Sequence, residues 1–76
     1  MNFRVVRTMV YELRHIIKDW PDGTRTVVSE LVLRKKKWEL FHVHALHELS
    51  HTERDEMNVF ANKQIVLMNI TERLTK

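Results

Sequence analysis

Apolar positions in this chain repeat with two periods, and the change between them divides it. Phe3, Val5, Met9, Tyr11, Leu13 and Ile17 all stand at odd-numbered positions, the two-residue period of a strand. Val6, Met9, Val10, Leu13, Ile17 and Trp20 fit a helical stripe of period 3.6 about as well. The segment that follows tips the balance toward strand. Trp20-Pro21-Asp22-Gly23-Thr24 supplies proline to preset a turn dihedral, aspartate to bond back to the backbone, and glycine for the left-handed residue of a bulged hairpin. Arg25 to Leu33, with Thr26, Val27, Val28, Leu31, Val32 and Leu33, makes the second arm. A first arm running from residue 3 to residue 20 outlasts that partner. It leaves residues 3–9 with unpaired backbone groups, to be satisfied by a second copy of the chain or by a bend into a further strand.

From Lys35 the spacing turns helical. Trp38, Phe41, His42, Ala45, Leu46 and Leu49 predict a helix over 35–49, with a strand over Trp38 to Leu46 as the alternative. At this spacing Trp38 and Phe41 belong to the core. Ser50 and Thr52 are N-cap candidates with Glu53 and Asp55 placed to reciprocate, so a second helix should run over 53–74. Its interior, Ile65 to Ile70, is apolar around almost the whole circumference, more than a hairpin and a short helix can cover. The expected fold is α+β: a hairpin over residues 3–34, then helices over 35–49 and 53–74, one small domain assembled as a homo-oligomer through its first strand and last helix.

Composition sharpens the case for a partner. A chain of 76 residues buries only about 60% of its unfolded surface, so a domain this small generally needs a staple. Cysteine is absent, which removes disulfides and thiolate metal sites. At 43% hydrophobic and 30% charged, the sequence lies outside the regime of disorder. The longest apolar run, Ile65 to Met68, falls far short of the roughly 20 residues that span a bilayer. The N-terminus lacks the apolar stretch and cleavage site of a secretory signal. The expected location is cytoplasmic, with no membrane partner.

Charge is uneven. Residues 1–37 hold nine Lys or Arg against four acids, and residues 38–76 hold four against six. The run Arg34-Lys35-Lys36-Lys37, placed at a strand-to-helix junction, joins Arg7, Arg14 and Arg25 (with Lys18) as the candidate anion- or partner-binding set. Over positions 26–74, a strand followed by two helices resembles the ribbon-helix-helix DNA-binding dimers. That resemblance implies a nucleic-acid-binding dimer whose paired strands enter the major groove.

Four histidines, His42, His44, His47 and His51, lie close together, and His47-Glu48-Leu49-Ser50-His51 reads H-E-x-x-H. On one helix the i, i+4 spacing puts His47 and His51 on one face as zinc ligands, with Glu48 as general base toward a metal-bound water. Glu56-Met57-Asn58-Val59-Phe60-Ala61 resembles the E-x-N-x-F-A pattern after this motif in the IrrE/ImmA peptidase group. The resemblance implies Glu53, Asp55 or Glu56 as a third ligand. Without metal, His47 and His51 suit a helix C-terminus, and His42 and His44 suit an interface that titrates near neutrality.

The leading expectation is a non-enzymatic binding protein without a cofactor, acting as a homo-oligomer on a protein partner or small anionic ligand. The alternatives are a nucleic-acid-binding ribbon/helix dimer and a miniature zincin-like zinc hydrolase.

Overall fold

The structure, a computed structural model, describes residues 2–44 and 46–74. Four antiparallel strands, β1 (Phe3–Arg7), β2 (Leu13–Asp19), β3 (Arg25–Arg34) and β4 (Lys37–Val43), form a meander in the order β1-β2-β3-β4. A 3-10 turn (Leu46–Glu48) leads into one helix, α1 (His51–Leu74). The fold is α+β as expected, with a larger sheet and one long helix in place of a hairpin and two helices.

Two corrections explain the difference. Residues 3–20 are not one strand, because the chain bends at 8–12. There the Thr8 hydroxyl accepts a hydrogen bond from the Val10 amide (3.1 Å) and donates to the Leu13 carbonyl (2.9 Å). β1 then pairs with β2 from Phe3↔Lys18 to Arg7↔Arg14, so of the two outlets expected for residues 3–9 the chain takes the bend into a further strand. The second correction concerns residues 35–49, where the strand given as the alternative over Trp38 to Leu46 forms, as Lys37–Val43, in place of the helix. Arg34 pairs with Lys37 across a two-residue tip, and β4 continues back along β3. β4 carries a bulge at Phe41. Glu30 pairs with His42 and Leu31 with Leu40, so Phe41 has no opposite number. Of the positions that predicted the helix, Trp38 is buried as expected and His42 is exposed. Phe41 is pushed out and is 58% exposed, contrary to its expected place in the core. Ala45, part of the expected helical stripe, lies outside the described residues.

The hairpin at residues 20–24 forms as its residues dictate. Gly23 sits at φ 91° and its amide donates to the Trp20 carbonyl (3.0 Å), while the Asp22 carboxylate accepts from the Thr24 amide (3.0 Å). That hydrogen bonding, from the Thr24 hydroxyl first, holds the Asp22 carboxyl below its ordinary pKa.

α1 starts at a reciprocal capping box. The Glu53 amide donates to Ser50 Oγ (3.2 Å) and the Ser50 amide donates to Glu53 Oε1 (2.8 Å). The helix lies across one face of the sheet and closes a core of Phe3, Ile16, Val28, Leu31, Trp38, Leu49, Met57 and Ala61. Lys18 is buried in that face, its ammonium 4.9 Å from the Phe3 and Trp20 ring centroids and 3.5 Å from Glu53. The helix also covers a free sheet edge. Asn69 accepts from the Trp38 amide (2.6 Å) and donates to the Trp38 carbonyl (3.1 Å), binding β4 where, among the described residues, no fifth strand does. Ile65 and Met68 pack on the core, whereas Val66, Leu67 and Ile70 stay exposed, so the excess apolar surface expected of this helix is real. No helix among the described residues is long and apolar enough to cross a membrane.

Candidate anion-binding surface

In a meander the first and third connections emerge at the same end of the sheet. The β1–β2 loop and the β3–β4 tip are therefore neighbours here, and the Asn69–Trp38 and Tyr11–Glu72 contacts bring the last turns of α1 beside them. This gathers Arg7, Arg14, Arg34, Lys35, Lys36 and Lys37 at one end of the molecule. The cationic run lies at the tip of a hairpin, not at the strand-to-helix junction expected. Arg25 is left out: it sits at the far end of the sheet, 3.5 Å from Asp19, whose carboxylate also takes a 2.7 Å hydrogen bond from Arg4 Nε. Arg4 holds the Asp19 carboxyl below its ordinary pKa.

The surface of this end is a series of shallow clefts. Lys36, Lys37, Asn69 and Arg73 line one, and Arg34, Lys35, Lys37 and Glu39 another. Arg34 is paired with Glu39, while Arg7, Lys35, Lys36 and Lys37 have no ion pair among the described residues. Between the cations stand apolar and aromatic groups. Met9 is fully exposed, and Val10 and Tyr11 are 54% and 55% exposed. The Tyr11 hydroxyl donates to Glu72 (2.6 Å), and that bond raises its pKa. Arg14 stacks beside it, its guanidinium carbon 5.7 Å from the Tyr11 centroid and 4.8 Å from that of Trp38.

Three local arrangements at this end are unfavourable in isolation. Lys35 (φ 52°) and Lys36 (φ 64°) are both left-handed, in a two-residue turn where Asn-Gly is the relaxed choice. Arg7 lies directly opposite Arg14 on the neighbouring strand, a like-charge pair that repels. Arg14 Nε is shielded from solvent and has no hydrogen-bond partner among the described residues. Local rules are broken where another requirement overrides them, and all three violations concentrate cations. Tyr11, Asn69 and Arg73 were not picked out by sequence reasoning, because their places here depend on contacts between elements far apart in the chain.

The histidines are split into two groups. His44 Nε2 bonds Glu30, and its ring stands edge-on to His42 with centroids 4.4 Å apart. His47 lies in the 3-10 turn, its Nε2 3.8 Å from Glu48 and its side chain 85% exposed; His51 is the first residue of α1. The cap at Ser50 separates them, so His47 and His51 do not share one helical face as the motif requires. Glu53 is engaged in that cap and faces Lys18, an arrangement that lowers its pKa mainly through the Ser50 amide. Among the described residues, no three of His, Asp and Glu are placed to hold a metal ion.

No family model matches the chain, and no curated protein or solved structure shows significant similarity to it.

Proposed function

We propose that this protein is a small non-enzymatic binding protein whose cationic end engages the sugar–phosphate backbone of single-stranded nucleic acid. The observation that carries this reading is the convergence of Arg7, Arg14 and Arg34 to Lys37 at one end, at evident local conformational and electrostatic expense. Within the anionic-ligand class expected from the sequence, shallow open clefts favour an extended polyanion over an enclosed small molecule. The exposed Met9, Val10 and Tyr11 between the charges favour a single strand, whose unpaired bases have faces free to lie on apolar side chains. The cations sit at the ends of all four strands and in the Lys35-Lys36 turn, at one end of the sheet, an arrangement different from the strand insertion of ribbon-helix-helix dimers.

Fluorescence anisotropy with a labelled single-stranded oligonucleotide tests it. Six phosphate contacts give a slope of log affinity against log salt of about −4, hence roughly 300-fold weaker binding at 200 mM than at 50 mM salt. No binding at 50 mM, or an affinity indifferent to salt, would overturn the reading.

A further inference from the structure

On the side of α1 opposite Met57, Ala61 and Met68, a second stripe runs the length of the helix: Asp55, Val59, Asn62, Val66, Ile70 and Arg73. The intervals are three or four residues, and all six are exposed, with Val59, Val66 and Ile70 at 50%, 58% and 44%. Asp55 and Arg73, at its two ends, make no ion pair or hydrogen bond among the described residues. The stripe is nearly palindromic. Reversal about residue 64 sets Asp55 on Arg73, Val59 beside Ile70, and Asn62 on Val66. A two-fold symmetric interface needs a patch that complements itself under this reversal.

We propose that α1 pairs antiparallel with α1 of a second copy of the chain, Val59, Val66 and Ile70 forming the seam and Asp55 meeting Arg73 of the other copy at both ends. The charges select this orientation. Parallel pairing sets Asp55 against Asp55 and Arg73 against Arg73, whereas the antiparallel pair neutralises both and aligns the helix dipoles favourably. Asn62, the one uncharged polar position of the stripe, lies inside the seam and penalises other registers. The proposal stands on α1 alone and holds whether or not the cationic end binds nucleic acid.

Sedimentation equilibrium of the full chain tests it. One helix pair is a small interface, so the dimer should form at about 10 to 100 µM, with the mass rising toward twice 9.2 kDa. Val66→Asp, at an exposed position that leaves the core intact, should weaken the dimer at least about tenfold. Asp55→Arg and Arg73→Asp should each weaken it by roughly tenfold, and the double exchange should recover most of the loss. Both single changes oppose the helix dipole and the double change opposes it further, so recovery cannot come from a sturdier helix. The proposal is overturned by a mass of 9.2 kDa at every concentration, by a dimer indifferent to Val66→Asp, or by a double variant no better than the single ones.

Discussion

Replacing Lys35-Lys36 by Asn-Gly separates the two demands on the β3–β4 tip. In the native chain both lysines are left-handed, at φ 52° and 64°. Each such residue costs about 1 kcal/mol relative to a residue at ease there. Asn-Gly removes most of that strain, and the added freedom of glycine in the unfolded chain offsets roughly half of the gain. The net expectation is stabilisation by about 1 kcal/mol, read as a melting temperature about 4 to 8 °C higher for a domain this small. Binding should move the other way. Losing two phosphate contacts lowers the salt slope by about 1.4 and weakens single-strand binding by roughly 25-fold at 100 mM salt. Circular dichroism melting and anisotropy titrations at several salt concentrations measure both on the same sample. An unchanged or lower melting temperature would refute the strain argument, and an unchanged slope would refute the placement of these lysines on the ligand.

Two further predictions concern the scaffold. Asn69→Ala strips the Trp38 amide and carbonyl of their partner, which should cost about 1 to 3 kcal/mol in urea unfolding and speed hydrogen exchange at the Trp38 amide; equal stability would remove Asn69 as the edge cover. Asp19, Asp22 and Glu53 have pKa values lowered in the fold, so their stabilising contribution is complete above the ordinary carboxyl values of 3.8 and 4.5 and is lost as pH falls through the lowered ones. The urea midpoint should hold from pH 7 to about 5 and fall below about 4.5, and a midpoint that rises on acidification would contradict this.

Features written locally were legible in the sequence. The Pro21-Asp22-Gly23 hairpin, the Ser50–Glu53 cap and the long last helix each follow from a few adjacent residues, and each is present. What escaped depends mostly on pairing between distant segments. No turn residue marks the Lys35-Lys36 tip, and the exposed Phe41 and His42 fall at helical intervals from Trp38, so β4 read as a helix. The bend at Thr8 is local, resting on one hydroxyl bonded to the backbone of Val10 and Leu13, but no proline or glycine marks it. For the candidate site, the sequence identified six of the cations that gather and two, Arg25 and the buried Lys18, that do not. Their convergence comes from meander topology, which puts the first and third connections at one end. The H-E-x-x-H motif needed a continuous helix, and the cap at Ser50 interrupts it.

The most direct measurement is an amide chemical-shift map of the full chain titrated with a single-stranded oligonucleotide. Binding at the cationic end predicts shifts over Arg7 to Arg14, over Arg34 to Lys37 and at Asn69, with Arg25 and the 20–24 hairpin unmoved. Shifts centred on Arg25, or on the histidines beside Glu30, with the tip and the β1–β2 loop silent, would contradict it.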